Sequence, residues 1–128
     1  MIVVVGNIIY GRILLDGDDA KAIRLPSGSK LVVQLEDTSV ADAPATVLQR
    51  VEVNHLRSFP SEYAMQIPTG VSSMMPYSLS ARITQGDTLL YISNQQTRVD
   101  LGVGRSVNTD ISVVAVEQGE SSERRVRR

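Results

Sequence analysis

The sequence predicts an all-β fold, an antiparallel β-sandwich of seven or eight short strands with an immunoglobulin-like organisation. The apolar fraction of 42% comes mainly from Val, Ile and Leu, with one Phe and no Trp, and β-branched residues favour strands. Turn signals recur at intervals of about 8–12 residues, which is typical of sandwiches and barrels. Apolar and polar residues alternate in several segments, and no helical periodicity extends beyond about two turns.

The first strand is predicted over residues 2–10, a nearly continuous apolar run with a glycine inside it. A glycine within a strand indicates a bulge or the close approach of another backbone. Residues 13–15 and 22–25 are expected to form a hairpin, because the Asp16-Gly17 pair between them is a turn signal.

The next two strands follow a predicted turn at residues 26–29. In residues 30–36 the Leu and Val side chains at odd positions share one face, so this segment is predicted to be half-buried. Residues 37–44 form a polar loop, and residues 45–53 are the following strand, with its apolar residues mainly on one face.

The C-terminal half contains the clearest alternation. In residues 77–84 the Tyr, Leu, Ala and Ile at odd positions are predicted to point inward, while Ser, Arg and Thr point outward. Further strands are predicted at residues 63–67, 88–93, 98–101 and 110–116. A chain of 128 residues is most simply one domain. We therefore predict a sandwich domain at residues 1–117 and a flexible Arg-rich tail at residues 118–128.

Charge and composition exclude several classes of function. Without the four Arg and two Glu of residues 119–128, 9 basic and 12 acidic side chains give a net charge of about −3, which argues against a nucleic-acid partner. The absence of cysteine excludes disulfides, thiolate metal sites and a Cys nucleophile. No apolar run reaches the roughly 18 residues of a membrane span. The apolar N-terminus lacks the basic leader and cleavage site of a signal peptide.

The polar loop contains the first candidate site, which is formed by Asp37, Ser39, Asp42 and Thr46. Their oxygen atoms are suitable calcium ligands, but the loop has fewer carboxylates than calcium loops normally contain. We favour a structural role, in which these side chains bond the backbone of the loop and Pro44 directs the next strand.

Other polar clusters are predicted to be solvated. Asp16, Asp18 and Asp19 lack the spacing of a calcium loop and suit an exposed hairpin tip. His55 has no recognisable catalytic partner, and one histidine does not supply the three or four ligands of a zinc site. We therefore predict no catalytic residues, no metal site and no cofactor.

The loop that contains Met74 and Met75 is the candidate for partner binding. Adjacent methionines form a soft, adaptable contact surface, although we favour the alternative in which one of them plugs an open end of the sandwich. Exposed strand edges are a second option, because a partner can add a strand to an edge.

Residues 25–47 carry a resemblance to a known family. They contain a Leu-Pro-Ser-Gly turn, a Leu-rich strand, then Asp-Thr-Ser and Ala-Asp-Ala-Pro-Ala, and residues 77–83 read Tyr-Ser-Leu-Ser-Ala-Arg-Ile. The chain resembles the YbaY/YscW-like lipoprotein family, which includes type III secretion lipoprotein chaperones, also called pilotins. The resemblance covers residues 6–116 and implies a β-sandwich in the cell envelope or periplasm. A cytoplasmic location is expected instead if Met1 is the native start.

Two functions follow from these observations. The first is a non-enzymatic, chaperone-like module that binds a protein partner in a groove or along an edge strand, as the resemblance implies. The second is a β-sandwich that binds a carbohydrate or another small ligand. Sugar sites usually expose planar aromatic rings, so that alternative requires an exposed pair of tyrosines beside carboxylates such as Glu62 or Asp87.

Overall fold

The computed structural model describes residues 7–39, 44–71, 76–101 and 106–116. These residues form strands, turns and loops, and the predicted all-β class is confirmed. The strands are β1 (Ile8–Leu15), β2 (Arg24–Asp37), β3 (Thr46–Ser58), β4 (Ser61–Gln66), β5 (Tyr77–Gln85), β6 (Thr88–Ser93), β7 (Thr97–Val99), β8 (Val107–Asn108) and β9 (Ile111–Ala115). Within these ranges, no helix has the length and apolar character needed to cross a membrane.

The strands form a single mixed sheet that is close to a closed barrel. Its order is β3-β2-β5-β6-β9-β1-β4, with β7 paired to β5 and β8 paired to β1. Most pairs are antiparallel, but β1 runs parallel to both β8 and β9. The prediction of a purely antiparallel sheet is therefore wrong, and an immunoglobulin-like sandwich is not confirmed. Alternation identifies the buried face of a strand but carries no information about its neighbour.

Two predicted turns have a different role in the structure. The Asp16-Gly17 turn ends β1, yet β1 and β2 do not pair, because β2 lies between β3 and β5. The predicted hairpin at this position is therefore wrong. The segment at residues 26–28 is an irregularity inside β2 rather than a turn before it, with Gly28 at a φ of 83° and a register shift against β3.

The core lies inside the curved sheet and is mostly aliphatic. As predicted, the odd-numbered residues of both clearly alternating segments are buried; they are Leu31, Val33, Leu35, Tyr77, Leu79, Ala81 and Ile83. Ser78, which alternation predicts to be exposed on the outer face, is only 2% exposed. Phe59 packs against Tyr91 in an edge-to-face arrangement with ring centroids 4.9 Å apart. Burial of each large aliphatic side chain stabilises the fold by about 1.5–3 kcal/mol. One set of strands therefore supplies both the walls and the core.

The predicted domain boundary stays a prediction. Strand β9 ends at Ala115, and residues 117–128, which contain the predicted tail, lie outside the described residues.

Candidate functional site

An open groove runs over the outer face of β1 and β4 and reaches the edge of β3. Its volume is about 800 Å³, within the range of ligand-binding clefts. Tyr10 gives it an aromatic ring, with 41% of the residue exposed. We call it the β1–β4 groove; the apolar part of its lining is formed by Ile8, Tyr10, Val53 and Ala64, and the polar part by Arg12, Glu62, Asn108 and Asp110.

Strand alternation brings these side chains to one surface. On β1, Tyr10 and Arg12 are exposed because the residues beside them are buried, and on β4 the same holds for Glu62 and Ala64. The register places Tyr10 opposite Ala64 and Arg12 opposite Glu62. Each aromatic or charged group on β1 therefore has a neighbour on β4 across the groove floor.

The groove floor depends on Gly11, which lies on β1 against the backbone of Thr109. A Cβ atom at Gly11 would be 1.9 Å from the carbonyl oxygen of Thr109, so only glycine permits this approach. Thr109 is held on both sides: its N–H donates to the carbonyl of Tyr10 (2.8 Å), and its carbonyl accepts from the hydroxyl of Tyr63 (2.6 Å). Burial raises the pKa of Tyr63, so this hydroxyl keeps its proton.

One end of the groove has an acidic surplus. Asp110 accepts a hydrogen bond from the backbone N–H of Arg12 (2.8 Å) and another from its guanidinium (3.1 Å), and Asp19 lies 3.6 Å from the same guanidinium. The hydrogen bond and the charge of Asp110 raise the pKa of Arg12. Glu62 forms no ion pair with any described residue. Two carboxylates thus pair with one cation, and Glu62 lies opposite Arg12 in the register without pairing with it, so this end favours a ligand with positive charge.

The edge of the groove at β3 is a gap in the sheet. Strands β3 and β4 are the two ends of the strand order, and no ladder joins them, although residues 59 and 60 link the two strands at one end of the gap. We call the gap between them the seam. Gln49 on β3 bridges it: its Nε2 donates to the carbonyl of Gln66 on β4 (3.2 Å), and its Oε1 accepts the N–H of Arg50 (3.0 Å). A side-chain hydrogen bond therefore joins the two end strands at a point where a closed barrel would have a backbone ladder.

The residues predicted to form a structural loop are only partly described. Asp37 accepts a hydrogen bond from the N–H of Ser39 (2.8 Å), and its pKa is lowered by hydrogen bonds from the hydroxyl and the backbone N–H of Ser39. Pro44 is exposed, and Asp42 lies outside the described residues. The calcium and structural interpretations of this loop remain predictions, although the Asp37 contact is of the capping kind.

The other predicted sites do not adjoin the groove, with one exception. Asp16 pairs with Lys21 (2.6 Å), whereas Asp19 reaches Arg12 at the acidic end. His55 is exposed in the left-handed region, with a φ of 57°. Met74 and Met75, the predicted partner contact, lie outside the described residues. In the part of the chain that the structure describes, no three His, Asp or Glu side chains are grouped as metal ligands.

The aromatic residues do not form the platform that the carbohydrate alternative requires. Tyr63 and Tyr77 are buried, Tyr91 is half-buried, and Phe59 is 2% exposed. Tyr10 is thus an exposed ring without a second one beside it among the tyrosines. A single ring beside carboxylates suits an apolar or cationic side chain of a protein as well as it suits a sugar.

The sequence alone does not predict the groove. It assigns Tyr10 to a strand but not to a site, and it indicates Glu62 only as a carboxylate for a sugar platform. The sequence signal of the groove is an outward-facing tyrosine in an otherwise apolar strand. This tyrosine indicates a site only once the register is known to place Ala64 and Glu62 beside β1.

Comparisons with known proteins point to the lipoprotein chaperones and pilotins of bacterial secretion systems. Residues 18–113 match the sequence profile of the type III secretion system lipoprotein chaperone family (YscW). An alternative pilotin from the type II secretion system of Vibrio cholerae has a similar structure, with a TM-score of 0.72 and 25% sequence identity. The alignment covers 87% of this chain and 97% of the pilotin. None of the curated proteins matches the chain in sequence.

Proposed function

The chain belongs to the YscW family of type III secretion system lipoprotein chaperones, and from this premise we propose that it binds a protein of a bacterial secretion system through the β1–β4 groove. The binding is non-enzymatic, and the place of action is the cell envelope. The family match and the likeness to a pilotin support a secretion-related chaperone role. The groove is our assignment of where the partner binds.

The exposed ring of Tyr10 is the observation that carries this assignment. It lies next to the small side chain of Ala64, which leaves space above the sheet, and beside the apolar edge at Val53. Aromatic residues in such positions often dominate the binding energy of protein interfaces. The acidic end at Glu62 and Asp110 adds a preference for a basic segment of the partner.

The proposal is tested by capture of the partner in the native host. The tagged full-length chain is purified after cross-linking, secretion-system proteins in the eluate are identified by mass spectrometry, and binding is then measured with the purified pair. Tyr10→Ala should weaken binding at least about tenfold, because it removes an aromatic anchor. Ile92→Ala is the matched control, since Ile92 is an exposed apolar residue (38%) on β6, away from the groove.

Two results would contradict the proposal. One is an eluate without any secretion-system protein above the level of an untagged control. The other is equal binding by the unaltered chain and Tyr10→Ala, which would place the partner elsewhere on the surface.

A further inference from the structure

The amide of Gln49 has the hydrogen-bonding groups of a peptide unit, namely one carbonyl acceptor and an N–H donor. In the seam its acceptor binds the N–H of Arg50 on β3, and its donor binds the carbonyl of Gln66 on β4. A strand between β3 and β4 would offer the same two groups at the same edges. At this point the side chain of Gln49 therefore makes one bond to each edge, as an added strand would.

The edge of β4 presents further backbone groups to the seam. Ile67 donates its N–H to the carbonyl of Asn7 (2.9 Å), so this pair is a hydrogen-bonded pair of the antiparallel ladder. Such pairs alternate with non-bonded pairs, and the register continues from here without a shift. The backbone groups of Glu62, Ala64 and Gln66 therefore point away from β1. The carbonyl of Gln66 indeed receives the bond across the seam.

The opposite edge is arranged in the same way. The N–H of Arg50 binds the side chain of Gln49 and not β2, so it faces the seam. Glu52 lies two residues further along an unshifted register with β2, so its backbone groups have the same direction. Both edges of the seam therefore offer alternate N–H and C=O groups that form no ladder with any described strand.

The side chains around the seam specify what can fill it. On the inner side, Val51 and Val53 are half-buried and pack against the core, so they would contact apolar side chains. On the outer side, Glu52 is already paired with Arg50 (2.7 Å), whereas Glu62 has no ion-pair partner among the described residues. An occupant with alternating apolar and polar residues and a positive charge near Glu62 matches this pattern.

We propose that the protein binds an extended segment of its partner as an added strand in the seam, with apolar residues facing the core and a Lys or Arg beside Glu62. The proposal rests on the proposed function, which it refines to a binding mode. About five residues would cover the edge of β4, since a strand rises about 3.3 Å per residue. The segment would displace the amide of Gln49 where it extends that far.

The first test is a selection of random twelve-residue peptides on the immobilised full-length chain, which can be done before the partner is identified. We expect enriched peptides with apolar residues at every second position and Lys or Arg between them. Apolar residues spaced three and four apart would overturn the proposal, because that spacing indicates a docked helix. The absence of any enriched peptide would overturn it as well. The partner-capture experiment has an independent readout, so the two proposals fail separately.

The second test is amide hydrogen exchange by NMR with the most enriched peptide bound. Strand addition should slow exchange at least about tenfold at Glu52, Glu62 and Ala64, whose N–H groups face the seam. Amides of Tyr63 and Met65 belong to the ladder with β1 and should not gain protection from the same bonds. Chemical-shift changes without new protection at these three amides would mean that the peptide lies on the groove surface, and would overturn the proposal.

The third test removes one edge donor. Ala64→Pro deletes an N–H that faces the seam and leaves the ladder to β1 intact, so proline is tolerated there as on other edge strands. We expect binding of the enriched peptide to weaken at least about tenfold. Thr69→Pro is the control, because Thr69 precedes Gly70 (φ 88°) in a turn that accepts proline. Equal binding by both variants would overturn the proposal, and if Ala64→Pro does not fold, the exchange measurement on the unaltered chain decides.

Discussion

Replacement of Gly11 by alanine tests the backbone contact on which the groove floor depends. The added Cβ would lie 1.9 Å from the carbonyl oxygen of Thr109 and 2.6 Å from its carbon, whereas ordinary contact begins at 3.4 Å. Both groups are backbone atoms, so no side-chain rotation relieves the overlap. The segment that contains Thr109 must therefore move away from β1 by about 1.5 Å.

That movement breaks three hydrogen bonds. Thr109 loses its bond to the carbonyl of Tyr10 and the bond it receives from Tyr63, and the adjoining bond between Arg12 and Asp110 is lost as well. At about 1 kcal/mol each, together with about 1–3 kcal/mol for overpacking, the substitution should lower the free energy of unfolding by about 4–6 kcal/mol. This is a large part of the total stability of a typical domain.

The assay is urea unfolding followed by far-ultraviolet circular dichroism and tyrosine fluorescence. Gly86→Ala is the matched control: Gly86 has a φ of 59° but nothing within 4 Å of the added Cβ, so only backbone strain of about 1 kcal/mol is expected. If Gly11→Ala costs no more than Gly86→Ala, the close approach of the two backbones is wrong and the groove floor has a different shape.

Three further predictions concern polar contacts. Tyr63→Phe should lower the free energy of unfolding by about 1 kcal/mol, because it removes the hydrogen bond to the carbonyl of Thr109. Because folding raises the pKa of Tyr63, the stability of the unaltered chain should fall as the pH rises above about 10, and the variant should show a smaller decline. Asp110→Ala should cost about 1–2 kcal/mol in urea unfolding and Asp110→Asn less, because the amide oxygen still accepts from the N–H of Arg12. Ser39→Ala should raise the pKa of Asp37, measured by carboxyl ¹³C NMR, because it removes the hydroxyl that bonds the carboxylate, and an unchanged pKa would contradict this hydrogen bond. In the unaltered chain, the contribution of Asp37 to stability should disappear as the pH falls through its lowered pKa, below about 4.

The sequence is sufficient to predict the strands and their buried faces where alternation is regular. In residues 30–36 and 77–84 the side chains at odd positions are buried, because a strand in a half-solvated sheet repeats with a period of two. Val32 is an exception: alternation predicts that it points outward, and it does, yet it is only 4% exposed. Its cross-strand neighbours Glu52 and Arg82 have long side chains that can cover it.

Strand order and the candidate site are beyond prediction from one sequence. The parallel pairing of β1 with β9 joins residues that are about a hundred positions apart, and the sequence of an apolar strand does not indicate which other strand it pairs with. The site depends on the same information. Tyr10 and Ala64 are neighbours only because of the β1–β4 register. From the sequence, Gln49 is an ordinary polar residue of a strand, and only the position of β4 shows that it bonds to Gln66.

The free energy of strand addition in the seam shows why side-chain contacts with the groove are needed as well. A five-residue strand that pairs with both edges gains up to about ten backbone hydrogen bonds, or about 10 kcal/mol, less about 1–2 kcal/mol for the two bonds of Gln49 that it displaces. Ordering those residues costs about 1–2 kcal/mol each, or about 5–10 kcal/mol, which offsets most or all of this gain. Backbone pairing alone is therefore too weak to hold a partner, so the seam is protected against unspecific strand addition while Gln49 occupies it. In the proposed complex, affinity must therefore come from side chains that reach Val53 on the inner side and Tyr10 on the outer side, both of which line the groove. In the proposed complex, backbone pairing in the seam therefore sets the orientation of the bound segment, and side-chain contacts with the groove determine which segments bind.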